Sequence, residues 1–355
     1  MTKFNTALFV SISLLYTNIT AQSFNEFEYA SPSQKGFSEA KLDSLSHFLE
    51  SAGSSSLLIL VDGKIVYEFG DTKKVHTIHS IRKAMLNSLY GIAISEGIID
   101  TTETLEELGI DDIPPNLTKE EKQATVADLL KSRSGVYHNA AAVSEGMLAR
   151  KPERGSHKQG EFYYYNNWDF NVLGYILEKK TGAKIFDLFL DQIANPIGME
   201  YYHSRYDSID GESEEFRFPD TDGFYQFEKS KSLFPAYHFR LSTRDMARYG
   251  QLYLNNGNWN GIQIIPKDWI EASTQPISVY DQNYGIAYGM LWSVLMENES
   301  RKTRSFFHTG TGVHMLAIYP ESNMVLVHRV DTEKDYSFHQ GHFYKMINMV
   351  WDAKN

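Results

Sequence analysis

The sequence predicts an α/β (α+β) fold: an antiparallel sheet built from both chain ends, flanked by helices, with a mostly helical region inserted between its halves. Three observations predict it. Strand-like runs occupy the first and last thirds of the chain, and helical periodicity dominates the middle. Hydrophobic residues make up 42% and aromatic residues 14% of the 355 positions, enough for a sizeable core. No internal repeat or low-complexity tract divides the chain.

The elements follow in order. Lys3 precedes a mainly apolar run from Ala7 to Tyr16, and Ile19-Thr20-Ala21 then offers a small residue for cleavage. This is signal-peptide anatomy over residues 1–21, too short for a comfortable membrane span. The mature chain is expected to begin near Gln22 and to be exported, periplasmic or secreted, with no stable membrane insertion. Ser38 to Ala52 reads as an amphipathic helix with Leu42, Leu45, Phe48 and Leu49 on one stripe. Leu57 to Phe69 reads as a β-hairpin turning at Asp62-Gly63. A β-rich stretch from Val75 to Ile78 leads to Ser80. A helix then runs from Ser80 to Glu96, with Met85, Leu89 and Ile92 on one face and Gly97 as its stop.

In the middle, helical patterns at Val126–Ser132, Phe170–Thr181 and Ile185–Ile193 alternate with polar loops, one of them Asp111–Gln123. A longer loop from Asp207 to Lys231 mixes acids with Phe216, Phe218, Phe224, Tyr225 and Phe227. It is expected to shape a cleft, as are Tyr137 and His138. The last third returns to strands at Gly289–Met296, Phe306–Thr309, Met315–Tyr319 and Met324–Arg329, with Glu321-Ser322-Asn323 as a turn. Phe343 to Trp351 reads as a closing helix. One domain over 22–355 is expected, with a sheet subdomain at about 35–80 and 240–355 and a helical subdomain at about 85–239.

Composition excludes several functions. The net charge is −11 and no long Lys/Arg run interrupts it, which argues against nucleic acid as a partner. The absence of cysteine excludes disulfides, thiolate zinc sites, a cysteine nucleophile and lipid attachment at a cleavage-site cysteine. His339 and His342 stand three apart with no third ligand at metal spacing, so they read as solvated or capping residues. No metal or other cofactor is expected.

Three short motifs can carry chemistry. Ser80-Ile81-Arg82-Lys83 places a hydroxyl and an amine at i and i+3, on one helical face and at a strand-to-helix junction. Lys83 lies in the first helical turn beside Arg82. Both effects, with burial, push an amine that starts near pKa ~10.4 toward its neutral, basic form. A second copy of the spacing, Ser38-Glu39-Ala40-Lys41, reads as a helix cap followed by solvated charges. Tyr165-Asn166-Asn167 offers a phenol and an amide, although Tyr164-Tyr165-Asn166 fits the same pattern. His308-Thr309-Gly310-Thr311 lies on a predicted strand, where the glycine permits close backbone approach.

In this order the three motifs resemble the class C β-lactamase and D,D-peptidase family of serine hydrolases. That family carries an S-x-x-K motif, a Tyr-x-Asn motif and a Lys/His-Thr-Gly strand. Gly160 and Gly174 bracket the tyrosine as in the family's pattern, which selects Tyr165 and Asn167. Ser134-Gly135, Gly97 and Leu241-Ser242-Thr243-Arg244-Asp245 match further family positions. Gln159 and Tyr163 depart from the usual proline and phenylalanine. The resemblance covers about residues 35–350 and implies a serine β-lactamase-like fold.

It also implies roles. Ser80 is the nucleophile, and Lys83 and Tyr165 share the general-base and general-acid work. Asn167 orients Lys83 and the substrate. His308, Thr309, Gly310 and Thr311 bind substrate, with the N–H groups of Ser80 and Thr311 holding the oxyanion. His308 stands where the family more often has lysine. A histidine, with an ordinary pKa of ~6.5, is mostly neutral at pH 7 and gains charge as pH falls. The expected substrate is a small-molecule or peptide ester or amide, hydrolysed through an acyl-enzyme. The alternatives are a penicillin-binding D,D-peptidase or β-lactamase, and a non-catalytic binding or sensor protein on the same fold.

Overall fold

The computed structural model describes residues 26–354. The expected signal peptide, residues 1–21, lies outside the described residues. The chain enters through a helix at Glu39–Ala52 that buries Leu42, Leu45 and Leu49. A hairpin follows, β1 (Ser56–Val61) and β2 (Lys64–Gly70), with Asp62 and Gly63 both at positive φ, the combination that a tight two-residue turn demands. After β3 (His76–Thr77) a 3-10 turn at His79–Ile81 runs into the helix Arg82–Ser95, and Gly97 follows at φ 71°.

Next come the helix Asn167–Thr181, strands β4 (Tyr206–Asp210), β5 (Gly223–Phe227) and β6 (Ala236–Leu241), and the helix Thr243–Leu254. A small ribbon, β7 (Asn258–Trp259) and β8 (Ile262–Gln263), precedes the last strands. These are β9 (Ser278–Asp281), β10 (Ile286–Tyr288), β11 (Ser293–Leu295), β12 (Ser305–Gly310), β13 (His314–Tyr319) and β14 (Met324–Arg329). The helix Gln340–Ala353 closes the chain.

The main sheet has eight strands in the order β2-β1-β14-β13-β12-β11-β10-β9, all antiparallel. Its N-terminal hairpin pairs with the last strand, from Ser56 opposite Arg329 to Val61 opposite Met324, so both chain ends complete one sheet as the sequence predicts. β1, β13 and β14 are buried on both faces, which is why they read as continuous apolar runs rather than as alternating ones. Leu57, Ile59 and Leu326 pack with Leu45, Leu49, Met346 and Val350 of the two terminal helices. Leu58, Leu60, Val325 and Val327 face the other core, with Met246, Met85 and Leu89.

A second sheet, β3-β6-β5-β4, carries the middle of the chain, and β4 and β5 run parallel within it. The sequence reads residues 207–231 as a loop, and the strands β4 and β5 correct that reading. β4 is largely exposed, and its Asp207, Ser208 and Asp210 hide the strand among acids. The signal at β6 is stronger, since Tyr237, Phe239 and Leu241 alternate with His238 and Arg240.

The expected strand Gly289–Met296 is also corrected. β10 ends at Tyr288, the Gly289 N–H donates to Trp292 O, and Leu291 takes φ 63°. A Cβ on Gly289 would lie 2.3 Å from Ser273 O, so only glycine allows this close approach. The turn drops Trp292 into the core against Tyr253 and Phe306, with ring centroids 5.0 and 5.3 Å away. The helix expected over 185–193 is α-helical only to Phe189 and then widens into a π turn to Ala194.

The Thr243–Leu254 helix lies directly on the sheet, because Gly250 has no side chain. A Cβ there would sit 2.5 Å from Val325 Cγ1 and 3.1 Å from Leu316 Cδ1. Gly250→Ala should therefore force the helix off β13 and β14, costing about 1–3 kcal/mol of stability. A lowered urea midpoint with an unchanged slope is the expected result; an unchanged midpoint would mean that this contact does not limit packing.

Candidate active site

Ser80 sits at the strand-to-helix junction that its sequence context predicts. His79 before it takes φ 49°, a left-handed conformation that costs a non-glycine residue about 1–3 kcal/mol. A 2.7 Å hydrogen bond between His79 Nε2 and Thr332 Oγ1 helps hold it there. The turn leaves Ser80 partly exposed at the head of a buried helix.

Lys83 is buried one turn on, with its Nζ 3.0 Å from Ser80 Oγ. The amine also lies 4.6 Å from the Phe170 ring centre and 4.8 Å from that of Tyr165. Burial, and then the neighbouring Arg82 charge, holds its pKa well below the ordinary lysine range. Among the described residues no carboxylate pairs with either cation. A neutral amine at this distance can accept the serine proton.

Tyr165 is positioned by the chain on either side of it. The Ser132 hydroxyl donates to Tyr164 O and accepts from Asn166 N–H, at 2.7 and 3.1 Å. The Asn166 side chain caps the Asn167–Thr181 helix by accepting from Trp168 N–H. Tyr165 shares a cavity wall with Ser80, and burial pushes the phenol's pKa up. It therefore stays protonated at neutral pH, and can pass a proton on without resting as phenolate. Asn167 opens its helix and donates to Ala142 O, while its Oδ1 is buried without a hydrogen-bond partner.

Gly310 ends β12 against the Ser80 turn. A Cβ there would lie 2.7 Å from Ile78 O and 3.5 Å from Ser80 N. Only glycine lets the strand end come this close, and Thr311 then shares the cavity wall with Ser80. This arrangement can offer the Ser80 and Thr311 N–H groups to one oxygen.

His308 departs from its expected behaviour. Its Nδ1 lies 3.0 Å from Thr309 O, and a carbonyl only accepts, so the ring proton sits on Nδ1. Nε2 is buried without a partner and is left as a bare acceptor. Burial lowers the ring's pKa to about 3, and a proton on Lys83 would push it the same way. The expected gain of charge between pH 8 and 6 is therefore removed: His308 is neutral across that range.

Two cavities meet at Ser80. The larger, about 740 Å³, is walled by Tyr163, Tyr165, Tyr280 and Phe162, with the exposed Arg150 also on its wall, and reaches His308, Thr309, Gly310 and Thr311. The smaller, about 210 Å³, lies beside Lys83 and Asn167 under Phe216, Phe218 and Phe224, so the 207–231 segment does border the cleft. Tyr137 and His138 are not brought there: the Tyr137 hydroxyl pairs with His157 Nδ1 at 3.0 Å, and His138 faces Asp112 and Ile113. The sequence reading missed Arg82 and His238 as walls of the smaller cavity. The alternation along β6 is the signal that would have found His238.

The second S-x-x-K is elsewhere. Ser38 holds the N-cap position of its helix, but its side chain makes no cap bond. The entry is fixed by main chain, through Ser38 N–H to Ala353 O and the Phe37–Lys354 bridge. His339 does cap its helix, accepting from Gly341 N–H.

A family profile described as Beta-lactamase matches residues 45–345. A protein of Escherichia coli K12, provisionally named a D-alanyl-D-alanine carboxypeptidase, is 21% identical over 91% of this chain and 89% of its own length. A provisionally named 6-aminohexanoate-dimer hydrolase from Bacillus anthracis shares the fold at TM-score 0.66 and 20% identity, over 93% of this chain and 87% of the other. So does an octameric penicillin-binding protein homologue from Pyrococcus abyssi, at TM-score 0.62 and 20% identity, over 88% and 77%.

Two sets of variants test the site. Ser80→Ala should abolish turnover and leave the fold intact, whereas Ser38→Ala should change neither. Lys83→Met should also abolish turnover, yet unfold at the same or a higher temperature than the native protein. Below pH ~10 the unfolded chain binds a proton at Lys83 that the folded chain does not, so the native lysine loses stability as pH falls. The stability advantage of Lys83→Met should thus grow from pH 9 downward until the folded amine itself protonates. A variant that becomes relatively less stable as pH falls would show a charged, paired Lys83 instead.

Proposed function

This chain belongs to the β-lactamase family of serine hydrolases, and on that premise we propose that it is an exported hydrolase that cleaves uncharged esters or amides through an acyl-enzyme on Ser80. Lys83 takes the hydroxyl proton as Ser80 attacks the carbonyl carbon. The oxyanion that forms is held by the N–H groups of Ser80 and Thr311. Tyr165 relays a proton to the leaving group, which departs and leaves the acyl group on Ser80 Oγ. Water, deprotonated by the same relay, then releases the acid. Asn167 makes no hydrogen bond to Lys83, since its amide is held by Ala142 O and its Oδ1 has no partner; it lines the smaller cavity and is left to orient the substrate. Export rests on the signal-peptide anatomy of residues 1–21. Among the described residues no helix is long and apolar enough to cross a membrane.

The observation that carries the specificity is His308. A lysine at this position would face the cleft with a fixed cation. The neutral ring offers an acceptor lone pair instead, which repels rather than binds a carboxylate on the leaving half of the substrate. Penicillins and peptides ending in D-alanine carry their carboxylate on that half. The carboxypeptidase name of the Escherichia coli relative makes D-alanyl peptides the second reading.

The test sets a serine-reactive fluorophosphonate, nitrocefin and a short-chain nitrophenyl ester side by side. Labelling at Ser80 and ester turnover above nitrocefin turnover are expected. Faster nitrocefin or D-alanyl peptide cleavage would favour the second reading, and no reaction with any of them would favour a binding protein. His308→Lys should raise kcat/KM for nitrocefin relative to the ester by roughly 10- to 150-fold, the range of a charge-assisted hydrogen bond. In the native enzyme that ratio should hold steady from pH 8 to 6. A ratio that moves with pH would mean that His308 titrates there, and one that ignores the substitution would mean that His308 does not meet substrate.

A further inference from the structure

The smaller cavity beside Ser80 holds a cation that the hydrolytic mechanism does not use. Arg82 is 2% exposed and lines this cavity. Its Nη2 donates to Asn171 Oδ1 at 3.0 Å, and its guanidinium carbon stands 4.3 Å over the Tyr237 ring. Tyr237 is itself seated against Gly174, where a Cβ would come within 2.7 Å of the ring. The guanidinium is thus locked in place, yet its Nη1 is buried without a hydrogen-bond partner.

Among the described residues no carboxylate pairs with Arg82. Gln226 on the same wall donates to Glu228 Oε1 at 2.6 Å, but that acid is already engaged by Lys231 and by the Ala142 N–H. Both ring nitrogens of His238, which also lines the cavity, are buried and without partners. A neutral imidazole carries one N–H, so at least one donor there is unused. A buried guanidinium without a counter-ion is among the costliest arrangements a fold can keep, and it stands here one residue from Lys83.

Resting on the roles proposed for Ser80 and Tyr165, we infer that this cavity is an acyl-group subsite that takes a carboxylate, with Arg82 as its cation. The assignment of the two substrate halves comes from the tyrosine. Tyr165, the proton donor to the leaving group, lines the larger cavity and not the smaller. The leaving group therefore departs into the aromatic cavity, and the acyl half extends toward Arg82. About 210 Å³ admits a chain of only a few carbons. Phe216, Phe218 and Phe224 give it apolar walls. The substrate class is then an ester or amide of a short dicarboxylic acid, charged on its acyl half and uncharged on its leaving half, in keeping with the neutral His308.

Three esters separate these halves: monobenzyl glutarate, benzyl pentanoate and 4-carboxybenzyl pentanoate. The native enzyme should cleave monobenzyl glutarate with a kcat/KM roughly 10- to 150-fold above that of benzyl pentanoate, while the leaving-group carboxylate gives no advantage. Arg82→Gln should erase the ratio between the first two. The native comparison decides on its own if that variant fails to fold. Equal cleavage of the first two esters through Ser80, or slower cleavage of monobenzyl glutarate, overturns the subsite and leaves the hydrolase standing. Cleavage that survives Ser80→Ala overturns the hydrolase reading itself, and cleavage of none of the three overturns both.

Discussion

The structure turns on the burial of Lys83 against Ser80. An amine with no carboxylate partner among the described residues, sealed by Tyr165 and Phe170 and next to the buried Arg82 cation, cannot hold its proton as a surface lysine does. That is unfavourable for folding at neutral pH and favourable for a base. Stability must then come from elsewhere. It comes from a sheet whose central strands are covered on both faces and from helices that lie directly on it.

The same sheet sets the geometry around that amine. Because β1 closes against β14, the strands β12 and β13 are held in the sheet interior, and the end of β12 runs up to the Ser80 turn. Gly310 makes that approach possible. On the other side the Asn167–Thr181 helix hangs from the Ser132 and Asn166 hydrogen bonds, which fix Tyr165 over the amine. The site is thus assembled from three separate stretches of chain, none of which contains it alone. Its two halves differ in what is buried there: a neutral acceptor at His308 on one side, where the exposed Arg150 is the charge on the wall, and a locked guanidinium at Arg82 on the other.

Much of this was legible in the sequence. The terminal strands, the helix that follows Ser80 with its stop at Gly97, and the glycine at 310 all followed from apolar period and turn chemistry. The three motifs predicted a shared site, and the structure brings them together around one cleft. What was not legible depends on three-dimensional burial. His308 has an ordinary pKa in any extended chain, and only its enclosure beside Lys83 takes it to about 3. Arg82 reads as a modifier of its neighbour until the fold shows that, among the described residues, no carboxylate pairs with it. β4 was lost among its acids, since a largely exposed strand needs no apolar face to announce it.

The central claim is that Ser80 carries the acyl group. It is tested most directly by quenching the enzyme in acid during steady turnover of a slow ester and digesting it with trypsin. Cleavage after Lys74 and Arg82 releases a peptide of residues 75–82 in which Ser80 is the only serine. The account predicts that this peptide gains the mass of the acyl group, and that the adduct is lost in Ser80→Ala. An acyl adduct on any other peptide, or turnover that proceeds with none, would contradict it.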